Sequence, residues 1–314
     1  MKLQTKIHLN KELNQIDYNS HLFFLGSCFS ELIGGKFEHF KFQSSQNPFG
    51  IFFHPLAIEN LIERAINKLV YSEKDIFFYN ERWHCFDAHS DLSDVTKEQL
   101  LQKLNAGLEA TSNQIKKASH IVITLGTSWV YRKAEIDKIV SNCHKLPQKT
   151  FEKEILSTEI VSNCINSCIR KIQTINKDVQ VIFTVSPVRH LKDGFVENQR
   201  SKAHLIAAIH QVIHQDNVSY FPSYEIMMDE LRDYRFYKTD MIHPNELAVD
   251  YIWERFKNTW ISDTEYPIMD KVEAVQRDLK HRPFNPNSEQ HKKFQKTLEK
   301  KITYLQETYS FMLF

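Results

Sequence analysis

HLFFLGSCFSELIGGKF, residues 21–37, runs from a short apolar segment through a glycine into a helical pattern. Leu22 to Leu25 is short and continuously apolar, which reads as a buried strand. Gly26 then breaks the run, and Leu32, Ile33 and Phe37 follow at helical spacing. Strand, sharp turn and helix in this order place Ser27 and Cys28 at a strand's carboxyl end and a helix's amino end. In open α/β sheets ligands bind at such strand ends. A helix N-terminus favours an anion, so a thiol there is expected to be acidic and nucleophilic. Inert packing is the competing reading, because free cysteine is among the most buried residue types.

Outward from this stretch the pattern repeats. Residues 1–20 are polar and read as an extended arm over the surface. Phe40 to Ser45 reads as a second strand, leading into the turn-forming loop Gln46-Asn47-Pro48-Phe49-Gly50. His54 to Val70 has helical spacing. Ile76 to Phe86 reads as a hairpin turning at Asn80-Glu81. A helix is expected from Thr96 to Ala118, then a buried strand from His120 to Leu125 that ends at Gly126-Thr127-Ser128. Trp129 to Cys143 reads as a second inserted hairpin, and Phe151 to Ile175 as a helix. Val179 to Val185 is a further buried strand, ending at Ser186-Pro187-Val188-Arg189-His190. Asn198 to Gln215 reads as helix and Val218 to Phe221 as strand. Asn245 is a plausible N-cap for a helix through Phe256. The tail from Ser262 is charged, and from Ser288 it carries Phe294, Leu298, Ile302 and Leu305 on one helical stripe. That stripe is expected to pack on the domain or on a second copy of the chain.

Strands alternating with helices predict an α/β fold with a parallel sheet covered on both faces. Residues 1–262 form the expected main domain and residues 263–314 a C-terminal helical extension. With 40 basic and 39 acidic residues the net charge is +1, which gives no field to attract nucleic acid or an anionic membrane. Five cysteines in 314 residues suit reduced thiols better than a disulfide framework. The first residues lack an apolar signal core, so the expected location is cytoplasmic. No window approaches a membrane span. Neither a Gly-rich dinucleotide fingerprint nor a Walker loop occurs, and no cofactor is implied.

Five further motifs accompany Gly26-Ser27-Cys28-Phe29-Ser30: Asn47-Pro48-Phe49-Gly50, Gly126-Thr127-Ser128-Trp129, Asn142-Cys143-His144-Lys145, Ser186-Pro187-Val188-Arg189-His190 and Asp240-Met241-Ile242-His243-Pro244. Together they resemble the GSCFA family over residues 20–260, with Ser30 where the name-giving motif has alanine. That family is in turn similar to the SGNH/GDSL hydrolases. The resemblance implies a flavodoxin-like three-layer sandwich with sheet order 2-1-3-4-5. It puts Cys28 at the position of the hydrolases' nucleophilic serine and Ser27 at that of the preceding aspartate. Gly50 matches the oxyanion glycine, and Ser128 replaces the oxyanion asparagine. Asp240 and His243 match the Asp-Xaa-Xaa-His block.

Elementary chemistry supports the same trio. A cysteine nucleophile needs a base, and His243 can take its proton while Asp240 fixes the imidazole tautomer. Attack by Ser27 instead of Cys28 stays open. Arg189 and His190 follow a strand end and can bind an acidic substrate group, or form an ordinary surface loop. Cys164 with Cys168, and His210 with His214, are spaced four apart on helices. Neither pair has a second pair beside it, so no metal site is expected. Three functions remain. One is a hydrolase of an acyl ester or thioester, the acyl group small or carbohydrate-linked. The second is an acyltransferase, and the third a binding protein on a degenerate hydrolase fold.

Overall fold

A computed structural model of the protein describes residues 4–314. In chain order its principal elements are β1 (His21–Gly26), α1 (Cys28–His39), β2 (Gln43–Gln46), α2 (Pro55–Ile66), β3 (Ile76–Tyr79), β4 (Arg82–Cys85), α3 (Lys97–Lys117) and β5 (His120–Leu125). Next come β6 (Trp129–Lys133), β7 (Lys138–Val140), β8 (Phe151–Ile155), α4 (Thr158–Ile175), β9 (Gln180–Val185), α5 (Phe195–His210) and β10 (Val218–Phe221). The chain closes with the short α6 (Ser223–Glu225), then α7 (Glu246–Trp260), α8 (Tyr266–Leu279) and α9 (Glu289–Thr308).

Five strands make one sheet in the order β10-β9-β5-β1-β2, every pair parallel. Numbered within that sheet the order is 2-1-3-4-5, as expected. The inner strands β5 and β9 are buried at every position, which explains their mainly apolar character. Polar β2, Gln43-Ser44-Ser45-Gln46, forms an edge.

Alternation along the strands splits the interior into two cores. Phe23 and Leu25 of β1 join a cluster with α2, α3, α4 and α5, whereas Leu22 and Phe24 join one with α1, α7, α8 and α9. The molecule is thus a three-layer α/β/α sandwich. The sheet order reverses around β1, so the crevice beyond its carboxyl end is the topological switch point.

Two inserts sit beside the sheet. β3 and β4 form the expected hairpin, with Asn80 and Glu81 both at positive φ, as a two-residue primed turn requires. The second insert departs from expectation. It is a three-stranded antiparallel sheet, β7-β6-β8, and not a hairpin over 129–143. Phe151 to Ile155 is its third strand, not the start of a helix. α4 begins only after Ser157, whose side chain caps it by accepting the Ile160 N–H.

The arm and tail are more closely built in than their polarity implied. Ile16 and Tyr18 are fully buried, and Ile16 pairs with Ile261. The α9 stripe packs on its own chain. Leu305 is fully buried, Leu298 and Ile302 lie against the second core, and Phe294 stacks near His281 and His291. No helix of the described residues is long and apolar enough to cross a membrane.

Candidate active site

Gly26 ends β1 at φ +124°, and a Cβ there would sit 2.1 Å from the Thr124 carbonyl oxygen of β5. Only glycine permits so close a turn. Ser27 then caps α1. Its N–H donates to Thr124 O at 3.1 Å, its hydroxyl accepts the Phe29 N–H at 3.4 Å, and the residue is fully buried. Cys28, the next residue, is the first of the helix and is half-exposed. Ser30 holds the turn from within, donating to Leu25 O at 3.0 Å and lying 2.8 Å from Thr124 Oγ1. A serine where the related motif has alanine therefore has a buried partner on β5.

Burial pushes the Cys28 thiol up from its ordinary value, and the Glu31 carboxylate adds to this. Lys202 and the N–H groups of Cys28 and Phe29 pull it down. Desolvation wins, so the helix terminus alone does not make this thiol acidic, contrary to expectation.

Asp240 and His243 lie on the loop leading to α7. Asp240 Oδ2 is 2.7 Å from His243 Nδ1, while Oδ1 accepts the N–H groups of Ile242 at 2.8 Å and His243 at 3.0 Å. Those backbone donors and the imidazole hold the Asp240 carboxyl well below the usual carboxylate range. The pair thus fixes the imidazole tautomer and leaves Nε2 for other work. Among the described residues no hydrogen bond joins His243 to Cys28.

Arg189 fastens this loop to the carboxyl end of β9. Its N–H donates to Ile242 O at 3.2 Å, its guanidinium to Met241 O, and it stacks 4.0 Å from the Tyr237 ring. These contacts make it a clamp on the loop. Gly50 sits at φ +72° and its N–H donates to Asn47 O at 2.8 Å, closing a turn beside His89. Ser128 is fully buried. Its hydroxyl is directed to Ser201 of α5, with the carbonyl oxygen at 3.3 Å. Neither group is left free to face an oxyanion, and the Cys28 N–H at the helix end remains as a donor.

Lys202 escaped the sequence reading, and Asn47 and His190, both named in it, take parts it did not assign. Asn47 Oδ1 accepts the Gly26 N–H at 2.9 Å and so locks the turn from the neighbouring loop. His190 lines a cavity of about 260 Å³ together with Phe53, Thr127, Trp129, Tyr131 and Cys143. Burial and the charge of Lys202 push His190 down to about 3, so its imidazole is neutral. Lys202 is fully buried and donates to Gly126 O and Ser186 O, each at 2.7 Å. Its signal was present in the sequence. Counting back from Leu205, Ala208 and Ile209 at helical spacing reaches Ser201, Lys202 and Asn198, a lysine on the buried stripe.

A flavodoxin-like α/β sandwich with a cysteine at its switch point and a carboxylate-held histidine at the same sheet edge defines the class. Within it, the chain belongs to the GSCFA family. The GSCFA family model matches residues 21–256, and that of the GSCFA domain protein, C-terminal domain, matches residues 272–314. No curated protein matches the chain. Among solved structures it is similar to an acetyl xylan esterase from the rumen bacterium Butyrivibrio proteoclasticus, at 12% identity with a TM-score of 0.31. The alignment covers 77% of this chain and 65% of that one, so the chain spans less than two thirds of the esterase's length.

Proposed function

We propose that the protein transfers an acyl group from an ester or thioester through Cys28, with His243 as proton carrier and Asp240 as its orienting carboxylate. The observation that carries this reading is the Asp240–His243 pair, clamped by Arg189 to the same sheet edge where α1 presents Cys28. Catalytic hydrogen bonds commonly tighten only when substrate binds, so the 237–244 loop is taken to bring Nε2 onto the sulfur in the complex.

In the first half-reaction the Cys28 proton passes to His243 Nε2 and the thiolate attacks the acyl carbonyl carbon. The carbonyl π electrons move to oxygen, where the Cys28 N–H receives the negative charge. Collapse re-forms the carbonyl and expels the alkoxide or thiolate, which takes the proton from His243. The resulting thioester is then attacked by water or by an alcohol, whose proton goes to His243. The Cys28 thiolate leaves and the acid or the new ester is released. The cavity that follows β5 at Thr127, with Trp129 and Tyr131 in its wall, offers aromatic faces to a sugar attached to the acyl group. Water and alcohol as second nucleophile correspond to the hydrolase and the acyltransferase respectively.

The test uses 4-nitrophenyl acetate and an acetyl thioester with the full chain. Wild type is expected to gain one acetyl group on the peptide containing Cys28 and to release nitrophenol. Cys28→Ala should lose both, and His243→Ala should slow turnover by about a hundredfold or more. Equal turnover in wild type and Cys28→Ala would exclude the nucleophile and favour a binding-only protein.

A further inference from the structure

Lys202 has no role in the chemistry just described, yet its position is costly. Burying an ammonium is unfavourable unless a countercharge or full hydrogen bonding compensates it. Here two of its three N–H donors reach neutral carbonyls, Gly126 O beyond β5 and Ser186 O beyond β9. A purely structural bridge between two carbonyls does not need a charge, because a neutral amide would serve. The Tyr224 ring lies 5.5 Å from the amine, and His190 is on the segment after β9. The Gly126 carbonyl that the amine holds lies two residues beyond Thr124, which pairs in register with Gly26, two residues before Cys28 at the start of α1. Tyr224 is pushed up to about 12 and His190 down to about 3, so both are neutral at pH 7. Cys28 is therefore the neighbour that can supply a negative charge, with Glu31 acting on Cys28 from the next turn of α1.

We propose that Lys202 is the buried countercharge of the Cys28 thiolate, a positioning residue that stabilises the anion once the thiol proton has left and offsets part of the burial that opposes it. This rests on the reading of Cys28 as nucleophile. The influence runs both ways: the lysine draws the thiol down and the thiolate draws the lysine up, while burial pushes the lysine down to about 7. No proton passes between them. The ammonium keeps its proton, and the thiol proton leaves to His243 as above. A fixed cation in a desolvated position also stabilises the oxyanion, for which Gly50 and Ser128 leave no free donor.

The experiment is the pH profile of Cys28 alkylation by iodoacetamide, site-resolved by mass spectrometry, in wild type, Lys202→Gln and Lys202→Arg. Glutamine keeps two N–H donors for the carbonyls and removes the charge. It is expected to raise the alkylation midpoint by at least about one pH unit and to slow labelling at pH 7 by about tenfold. Arginine keeps the charge and should stay near the wild-type profile. An unchanged profile in folded Lys202→Gln would overturn the proposal. A second measurement does not depend on Lys202 variants folding. The Lys202 side chain is titrated by carbon NMR at Cε in wild type and in Cys28→Ala. Loss of the thiolate should lower the lysine midpoint by about one unit, and an unmoved midpoint would overturn the coupling. Acetylation of Cys28 with both profiles unmoved retires the countercharge and leaves acyl transfer standing. A coupled pair in a protein that never forms an acyl-enzyme supports the countercharge and removes the acyl-transfer reading.

Discussion

Two turns in this chain carry a cysteine among polar neighbours, Gly26-Ser27-Cys28 and Asn142-Cys143-His144-Lys145, and they sit in opposite kinds of place. The first ends the central parallel strand β1 and opens a helix. The second links β7 and β8, the two outer strands of an antiparallel insert. In the second turn the polar atoms are committed to structure. Asn142 Oδ1 accepts the His144 N–H at 2.8 Å, His144 Nε2 donates to Cys85 O at 2.7 Å, and His144 Nδ1 is 3.0 Å from Ser90 Oγ. His144 thereby ties the second insert to the segment after β4. In the first turn Ser27 and Ser30 complete the structure, and Cys28 is left half-exposed at the start of α1. The residue types are alike and both thiols are partly exposed; what separates them is place, since Cys28 stands at the switch point of the sheet and Cys143 in an insert.

The sharpest way to break this comparison is Gly26→Ala. The positive φ and the 2.1 Å clash with Thr124 O leave no room for a side chain. The expected cost exceeds about 4 kcal/mol, seen as loss of soluble folded protein and of the far-ultraviolet dichroism signal. Cys28 would lose its placement with the turn.

His144→Ala comes next, at about 2–3 kcal/mol, because it leaves Cys85 O without its donor and opens a space between the inserts. Chemical denaturation measures it, and it also predicts a pH effect. Burial pushes His144 down to about 4, below its value in the unfolded chain. Between about 6.5 and 4 the unfolded state binds the proton and the folded state does not. Stability is thus complete above that window and falls as pH drops through it. In His144→Ala this part of the acid slope should disappear. An unchanged slope would assign it to the other buried histidines, His54 among them.

The smallest effect is expected for Cys143→Ser. Its thiol is half-buried, pushed up to about 11 by burial, and lines the cavity without a hydrogen bond among the described residues. Stability should change by less than about 1 kcal/mol, and acetyl-ester turnover should stay within about twofold. A large loss of turnover would move the chemistry from the first turn toward the second.

The inner strands β1, β5 and β9 were legible because they are short, mainly apolar runs, as strands of a doubly covered parallel sheet are. The insert around β8 was not. Phe151, Lys153 and Ile155 alternate with period 2 over too few residues to stand apart from the helix that follows, although Ser157 is an N-cap signal. In the tail, Met269, Val272 and Val275 of α8 are buried at helical spacing, but charged neighbours dilute the pattern. At the site, motif position led to Cys28, Asp240 and His243. The engagement of Gly50 and Ser128 elsewhere depends on Asn47 and Ser201, partners that residue type and spacing do not reveal. The thiol's loss of acidity is a desolvation effect, and burial depth cannot be read from one helix terminus.

The fully buried ring of Tyr18 stacks on Phe42 with centroids 4.2 Å apart and meets Tyr309 at 4.9 Å. A residue just ahead of the first strand thus completes its packing against one that directly follows α9. On a ribosome, at roughly 5–20 residues per second, synthesis from residue 18 to residue 309 takes on the order of 15–60 s. Over that interval the flank of β1 that Tyr18 covers is formed but unsealed. The nascent chain therefore holds an open hydrophobic side until residue 309 has been made, which makes this flank the natural place for a chaperone to engage it.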